Sequence, residues 1–225
     1  MSTAILVDGG FYRRRSQQVF GDKEPSERAE ELYDYCRRHL REKKQRQHEL
    51  YRIFYYDCPP MSKKVYHPLL KRTIDFGKSD LFQWMEDFLD ELKKLRKVAL
   101  RMGKLADAQA CYTLRPSVVK QLFNGGKDIL SITESDFMIA VEQKGVDMKI
   151  GLDIASLAYK KQVDQIVLIS GDSDFVSAAK LARREGIDFV LDPLGASIKS
   201  DLFEHIDGLR SCDPKYYPNL KKDVE

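Results

Sequence analysis

The sequence predicts an α/β fold in which helices cover a doubly wound, mostly parallel sheet on both faces. Residues 4–7, 166–170 and 187–192 are short apolar runs, which is typical of strands buried in a parallel sheet. Helical segments separate these runs, and strands that alternate with helices favour βαβ units. With 225 residues, 43% of them hydrophobic, the chain is long enough to form one folded domain over residues 1–225.

The first strand and its neighbours occupy residues 4–57. AILV at 4–7 ends at Asp8-Gly9-Gly10, and three consecutive arginines follow shortly after. A polar, charged helix is expected from about residue 25 to residue 49, with a proline in its first turn. LYRIFYYD at 50–57 is β-branched and aromatic, so it predicts a strand that ends at Cys58-Pro59-Pro60.

Residues 59–130 are less regular and are expected to form an insertion within the domain. Apolar residues with helical spacing predict a helix over 79–95, with Ser79 as its N-cap. The segments 97–105 and 110–116 are candidate short strands that could pair as a hairpin. A brief helix is expected over 116–123, because Asn-Gly-Gly follows it.

The last third has the clearest pattern. Residues 144–162 predict a helix, 164–170 a strand, and 174–186 a helix that ends at Gly186. A further strand is expected over 187–192, and a short helix over about 200–206.

Composition limits the class of protein. No apolar run approaches the ~20 residues that cross a bilayer, so a membrane protein is not expected. The four cysteines form no CxxC pair and the histidines are dispersed, which argues against zinc and favours a reducing, cytoplasmic compartment. The net charge is +3, but basic residues exceed acidic ones in the first half and the reverse holds in the second. Such asymmetry suggests a polyanionic partner, although most charge runs are simply solvated helix faces.

Aspartates follow two of the predicted strands. Asp8 ends the first strand, and Asp172 and Asp174 follow the strand 166–170. Ligands of open parallel sheets bind at the carboxyl ends of the strands, where the strand order reverses. We therefore expect these three side chains to lie at one edge of the sheet.

The helix from residue 147 supplies further acids. On a helical wheel, Asp147 lies near the centre of the apolar face and Asp153 lies at its flank. A carboxylate that points toward a packed surface is costly unless it is paired, hydrogen-bonded or bound to a metal. The alternative is an acid favoured by the dipole at the helix N-terminus, which would explain the position of Asp147 but not its direction.

A hard divalent cation would allow several carboxylates to be ionised close to one another. Like charges raise each other's pKa, so the acids could not all ionise at close range without a counterion. Mg²⁺ prefers oxygen ligands and is usually held by one or two carboxylates plus substrate phosphates, and Mn²⁺ accepts the same donors. The sequence therefore predicts a Mg²⁺ or Mn²⁺ site.

The same segments resemble a known family. AILVDGG, GVDMKIGLDIASLAYK and IVLISGDSDFVSAAKLARREG are similar to the NYN domain family, in particular its LabA-like branch, within the PIN-like nucleases. The resemblance covers about a quarter of the chain, in the family's order. It implies a doubly wound α/β sandwich and Mg²⁺- or Mn²⁺-dependent hydrolysis of RNA phosphodiester bonds. On this basis residues 59–130 would be a family-specific insertion.

The resemblance also implies roles for particular residues. It assigns the following acids to catalysis and metal binding: Asp8, Asp147, Asp172 and Asp174, with Asp153 as a further ligand. Many members have an asparagine shortly after the first Asp-Gly, where this chain has Gly10-Phe11-Tyr12. Four basic residues are candidate phosphate contacts that give affinity without sequence preference: Arg13, Arg14, Arg15 and Lys149. Lys149 could equally be a solvated lysine.

Two alternatives remain open at this stage. Asp172-Ser173-Asp174-Phe175-Val176 resembles the D-x-D-x-[TV] signature of haloacid-dehalogenase-type phosphatases, but too few residues follow it for the rest of that fold. The chain could instead be a non-catalytic RNA-binding or regulatory module with a cation site. In either nucleic-acid interpretation the partner is RNA, single-stranded or structured, and a homo-oligomer is possible.

Overall fold

The computed structural model describes residues 1–41 and 48–216. In chain order its strands and helices are β1 Ser2–Asp8, α1 Gly9–Phe20, α2 Pro25–Arg38, β2 Glu49–Asp57, β3 Lys64–His67, β4 Arg72–Asp75, α3 Asp80–Lys94, β5 Val98–Met102, β6 Lys104–Leu105, β7 Cys111–Leu114, α4 Pro116–Phe123, β8 Phe137–Ala140, β9 Gln143–Lys144, α5 Val146–Tyr159, β10 Gln165–Ile169, α6 Val176–Arg184, β11 Asp188–Asp192, α7 Ser200–Phe203 and β12 Gly208–Leu209. Within the described residues, no helix is long and apolar enough to cross a membrane.

The chain forms two compact units. The first comprises Met1–Asp57, Asp87–Gly103 and the chain from Gly145 onward. The second comprises Cys58–Glu86 and Lys104–Lys144. Helix α3 begins in the second unit and ends in the first.

A six-stranded sheet forms the core of the first unit. Its strand order is β12-β11-β10-β1-β2-β5, and every pair of neighbours is parallel. The central strands are almost inaccessible to solvent, because residues 4–7 and 166–169 are at most 1% exposed. Helices cover a sheet whose strands are apolar on both faces. Helix α5 packs against β2, β5 and α6, while α6 packs against β11. The predicted α/β fold with a parallel, doubly wound sheet is confirmed.

The strand order reverses between β1 and β10. From β1 the chain builds outward through β2 to β5, and from β10 it builds the other way through β11 to β12. The two strands are adjacent and in register, with Val7 opposite Ile169. Their carboxyl ends therefore flank the switch point at which open α/β sheets bind ligands.

Three small antiparallel ladders characterise the second unit, formed by β3–β4, β6–β9 and β7–β8. The His67 side chain is fully buried, and its ring centroid lies 4.2 Å from that of Tyr112 and 4.9 Å from that of Phe137. These ring contacts join the β3–β4 ladder to the β7–β8 ladder, and together with Val65 they give the unit an apolar interior.

Two sequence predictions need correction. The helix expected over 25–49 ends at Arg38, and Glu49 instead opens β2, where it pairs with Ser2 of β1; residues 42–47 lie outside the described residues. The hairpin considered for 97–105 and 110–116 does not form, since β5 joins β2 and the later strands join β8 and β9. In both places pairing with a distant strand overrides the local pattern.

The helix α1 follows β1 without a loop, although the sequence patterns gave no reason to expect a helix there. The Asp8 side chain caps it by accepting a hydrogen bond from Phe11 N. The predicted insertion, 59–130, overlaps the second unit, but 87–103 belongs to the first unit, where β5 extends the large sheet. That the inserted part is specific to a family remains a prediction.

Candidate active site

The candidate site lies at the carboxyl ends of β1 and β10. Asp8 is the last residue of β1, and the loop after β10 carries Asp172 and Asp174. Because these strands are neighbours at the switch point, side chains from the two ends of the chain meet there.

Asp8 is held by two hydrogen bonds. Its Oδ1 accepts from Phe11 N at 3.0 Å, and its Oδ2 accepts from Ser170 Oγ at 3.2 Å. Burial raises the pKa of Asp8 above its ordinary value, these two hydrogen bonds lower it, and the carboxylates of Asp147 and Asp57 raise it further. The result is a net rise, so the proton on Asp8 is bound more tightly than on an isolated aspartate.

Ser170 connects Asp8 to the loop after β10. Its fully buried hydroxyl donates to Asp8 and accepts from Asp172 N at 3.2 Å. Asp172 Oδ1 in turn accepts from Asp174 N at 3.1 Å, so the loop is ordered by its own first carboxylate. Both loop aspartates are exposed, as side chains that receive a ligand from solvent must be.

Gly171 lets this loop lie against α1. A Cβ at this position would come within 2.5 Å of the Phe11 ring. Any larger residue would therefore clash with the ring unless the ring moved. The aromatic side chain that stands after Asp8-Gly9-Gly10 therefore packs on the glycine between Ser170 and Asp172.

Asp147 joins the group from the first turn of α5. The pKa of its carboxyl is raised by partial desolvation and by the charges of Asp172 and Asp174. The wheel position suggested a carboxylate directed at the packed face of the helix, but Asp147 is exposed. The expected direction is therefore wrong, because the Asp147 carboxylate faces solvent and the charges of Asp172 and Asp174 instead of the core.

The donor chemistry of this group fits a hard divalent cation. Asp8, Asp147, Asp172 and Asp174 offer carboxylate oxygens. Burial and, to a smaller degree, neighbouring charges raise the pKa of Asp8 and Asp147, a cost that a cation would offset. Within residues 1–41 and 48–216, no three His, Cys, Asp or Glu side chains stand close enough to chelate one ion. This spacing fits Mg²⁺ or Mn²⁺ held by one or two carboxylates together with water and substrate phosphates.

Asp153 has a different environment. Its Oδ2 accepts from the Tyr56 hydroxyl at 2.8 Å and from Arg101 Nε at 3.0 Å. The charge of Asp153 is thus paired with a guanidinium, and the structure gives it no contact with the other acids.

The four predicted RNA-binding residues divide into two groups. Arg13 forms a bidentate pair with Asp57, and Arg15 donates twice to the Leu194 carbonyl, at 3.2 and 2.8 Å. Arg14 and Lys149 are exposed. The chain therefore uses two of these cations to fix α1 and leaves the other two facing solvent.

Asp57 is a neighbour of the site that sequence reasoning did not assign to it. Its side chain is fully buried, accepts from Tyr55 at 2.9 Å as well as from Arg13, and raises the pKa of Asp8. Asp57 ends β2, which is parallel and adjacent to β1. Since the carboxyl ends of parallel strands lie at one edge of the sheet, Asp57 could have been expected at the same edge as Asp8. Ser170 was likewise not assigned to the site, and its signal was a polar residue directly after a fully buried strand.

Comparisons with known proteins agree with this architecture. The model of the NYN domain matches residues 84–202, which include Asp147, Asp172 and Asp174 but not Asp8. The crystal structure of a protein of unknown function from Vibrio parahaemolyticus is similar in fold, with a TM-score of 0.50 and 14% sequence identity. That similarity covers 95% of this chain and 94% of the other. No curated protein gives a significant match.

Proposed function

Since the chain belongs to the NYN domain family, we propose that it is a metal-dependent ribonuclease of the LabA-like branch that hydrolyses RNA phosphodiester bonds. The observation that carries this proposal is the meeting of Asp8, Asp147, Asp172 and Asp174 at the switch point of the sheet. These residues come from three separate segments. Asp8 also caps α1 and Asp172 also orders its loop, but neither role accounts for the exposed acids Asp147 and Asp174 beside them.

In this proposal one or two of the four acids at a time hold Mg²⁺ or Mn²⁺ at the sheet edge, together with water and substrate phosphates. When bound, such an ion supplies charge stabilisation at a phosphate and lowers the pKa of water. Ser170 keeps Asp8 and the backbone of Asp172 in fixed relative positions through its buried hydroxyl. The Asp172 carboxylate holds the loop that carries Asp174.

Phosphate contacts are assigned to Arg14 and Lys149, because both are exposed. Arg13 and Arg15 instead support the site by holding α1, whose first turn follows Asp8 directly. Contacts of this kind give affinity and salt dependence without sequence preference.

A non-catalytic RNA-binding module with a cation site is the second candidate. The same acids would serve it, because a structural cation needs carboxylate oxygens but no reaction at a phosphate. The phosphatase alternative gains no support, because β10 lies late in the chain and, up to residue 216, only two strands of the large sheet follow it.

The test is a cleavage panel of labelled RNAs and of single- and double-stranded DNA with Mg²⁺, Mn²⁺ or EDTA. We expect cleavage of RNA by the wild type with either metal and no cleavage in EDTA. Asp172→Asn should lower the rate at least roughly 100-fold, the effect of losing a few kcal/mol of charge stabilisation. Asp90→Asn is the matched control, because Asp90 is an exposed aspartate of α3 outside the site, and it should cleave like the wild type.

The outcomes separate the two candidates. Binding without cleavage by both wild type and Asp172→Asn, under every metal, would favour the module. Equal rates of cleavage by Asp172→Asn and Asp90→Asn would show that the proposed site takes no part in the reaction. A melting temperature that rises with Mg²⁺ in the wild type but less in Asp172→Asn would locate the cation independently of activity.

A further inference from the structure

The first turn of α1 presents an aromatic side chain to solvent beside the candidate active site. Helix α1 begins at Gly9, directly after Asp8, so its first turn lies at the carboxyl edge of the sheet. Gly9 and Tyr12 are buried, and Gly10 has no side chain. Phe11 is only partly buried, although phenylalanine is among the residue types most often found inside proteins. An apolar ring is therefore accessible next to the acids of the site.

Two contacts fix the position of Phe11 relative to these acids. Its backbone N donates to Asp8 Oδ1 at 3.0 Å. Its ring lies on Gly171, where an added Cβ would be 2.5 Å from Cε2 and 3.0 Å from Cζ. Gly171 directly precedes Asp172, and on its other side Ser170 donates to Asp8. Phe11 therefore contacts both of the segments that supply these two acids.

An accessible aromatic ring in this position suits one part of a nucleic acid. The ring carries no charge and no hydrogen-bonding group, so it cannot bind the phosphate that the acids and their cation would hold. A base can stack on it, because every base has a π-face. A phosphate at the acids and a base on the ring would belong to neighbouring parts of one strand, since Phe11 contacts both acid-bearing segments.

We propose that Phe11 positions the substrate by stacking on the base next to the phosphodiester bond that is cleaved. This assignment rests on the proposed function, in which the acids and their cation act on the phosphate. Stacking on a side chain requires a base that is outside a duplex, so the site takes single strands and the unpaired segments of folded RNA. Because the ring contacts only the π-face, the identity of the base has little effect.

A packing role for Phe11 is the alternative. A ring that only holds the loop of Asp172 against α1 would affect the cleavage of every RNA equally, including an RNA that lacks the neighbouring base. A ring that stacks on a base matters only when that base is present. The two roles therefore differ in which substrates they affect.

The first test combines a variant of Phe11 with substrates that lack one base. Phe11→Leu keeps an apolar side chain beside Gly171 and removes the π-face. On a short labelled RNA in Mg²⁺ or Mn²⁺, this variant should have a kcat/KM lower by roughly 5- to 150-fold, which is the cost of one stacked base. An abasic nucleotide on one of the two sides of the cleaved bond should cost the wild type a similar factor, and should cost Phe11→Leu almost nothing.

Two further variants serve as controls. Phe11→Tyr keeps the aromatic ring and should restore most of the activity that Phe11→Leu loses. Tyr159→Leu removes a ring that is 59% exposed at the last residue of α5. Tyr159 lies roughly 18 Å along the helix from Asp147, so this variant should cleave like the wild type.

The second test compares a single strand with a duplex of the same sequence. The wild type should cleave the single strand faster, because the bases of a duplex are not free to stack on a side chain. In Phe11→Leu this preference should shrink by about the factor that the variant loses on the single strand.

Three outcomes would overturn the assignment of Phe11. They are a Phe11→Leu variant that cleaves intact RNA like Tyr159→Leu, an equal loss on intact and abasic RNA, and a duplex that the wild type cleaves as fast as the single strand. A failure of the proposed function looks different, because no RNA would then be cleaved in any metal. The same comparison would in that case measure the binding of a fluorescent RNA by anisotropy, and equal affinities of the wild type and Phe11→Leu would overturn the stacking role as well.

Discussion

Replacing Arg13 by alanine is expected to destabilise the protein strongly, although arginine triplets usually lie at the surface. The Arg13 guanidinium donates to Asp57 through Nε at 3.0 Å and through a terminal nitrogen at 3.1 Å. The Asp57 side chain is 0% exposed, and that of Arg13 is 24% exposed. The substitution therefore removes the guanidinium that pairs with a carboxylate that water cannot reach.

The size of the effect follows from this burial. Breaking a buried ion pair by removing one partner costs about 3–5 kcal/mol, because a charge is left uncompensated. The Tyr55 hydroxyl continues to donate to Asp57, so we expect the lower end, about 3 kcal/mol. For a chain of this length that corresponds to a melting temperature lower by roughly 6–12 °C. Arg13→Lys should lose less, since it keeps the charge but not the fork of two donors.

The assay is thermal and urea unfolding followed by circular dichroism, with Arg14→Ala as the control. Arg14 is the next residue of α1 and is exposed, so its replacement should change stability by no more than about 0.5 kcal/mol. If Arg13→Ala were as stable as Arg14→Ala, the buried pair would contribute nothing. Arg13 would then have to be returned to the candidate RNA contacts.

Two further predictions concern other parts of the first unit. Burial lowers the pKa of His39, but hydrogen bonds to Asp192 and Cys212 raise it overall from 6.5 to about 9. The folded state therefore binds this proton more tightly, and its contribution to stability is complete below pH 6.5 and is lost as the pH rises through 9. Unfolding by urea across that range should show a larger loss in the wild type than in His39→Gln, and parallel curves would contradict the assignment. Gly9→Ala would place a Cβ 2.4 Å from the Tyr55 ring and should destabilise by about 1–3 kcal/mol. At Gly151 of α5 an added Cβ would meet no atom within 4 Å, so Gly151→Ala should raise the free energy of unfolding by about 0.4–1 kcal/mol. Melting temperatures that shift in the same direction for Gly9→Ala and Gly151→Ala would refute this contrast.

The site illustrates which parts of a function can be inferred from sequence. Asp8 and Asp172 could be expected to meet, because both follow apolar strands and the carboxyl ends of parallel strands share one edge. The sequence could not show which of the arginines are available for RNA, since Arg13 pairs with Asp57, 44 residues away. A cytoplasmic location and a possible homo-oligomer remain predictions.

The sequence by itself determined the alternation of strands and helices, because apolar runs and helical spacing are local properties of the chain. It also determined that Asp8 stands at the end of one apolar strand and that Asp172 and Asp174 follow another. The tertiary structure alone decided which strands are neighbours, and so that β5 completes the large sheet while β6 to β9 build the second unit. It decided as well that Asp153 is paired with Arg101 and that Ser170 connects Asp8 to the loop of Asp172. These outcomes depend on contacts between residues far apart in the chain, whose free energy is a property of the packed fold and of no single segment.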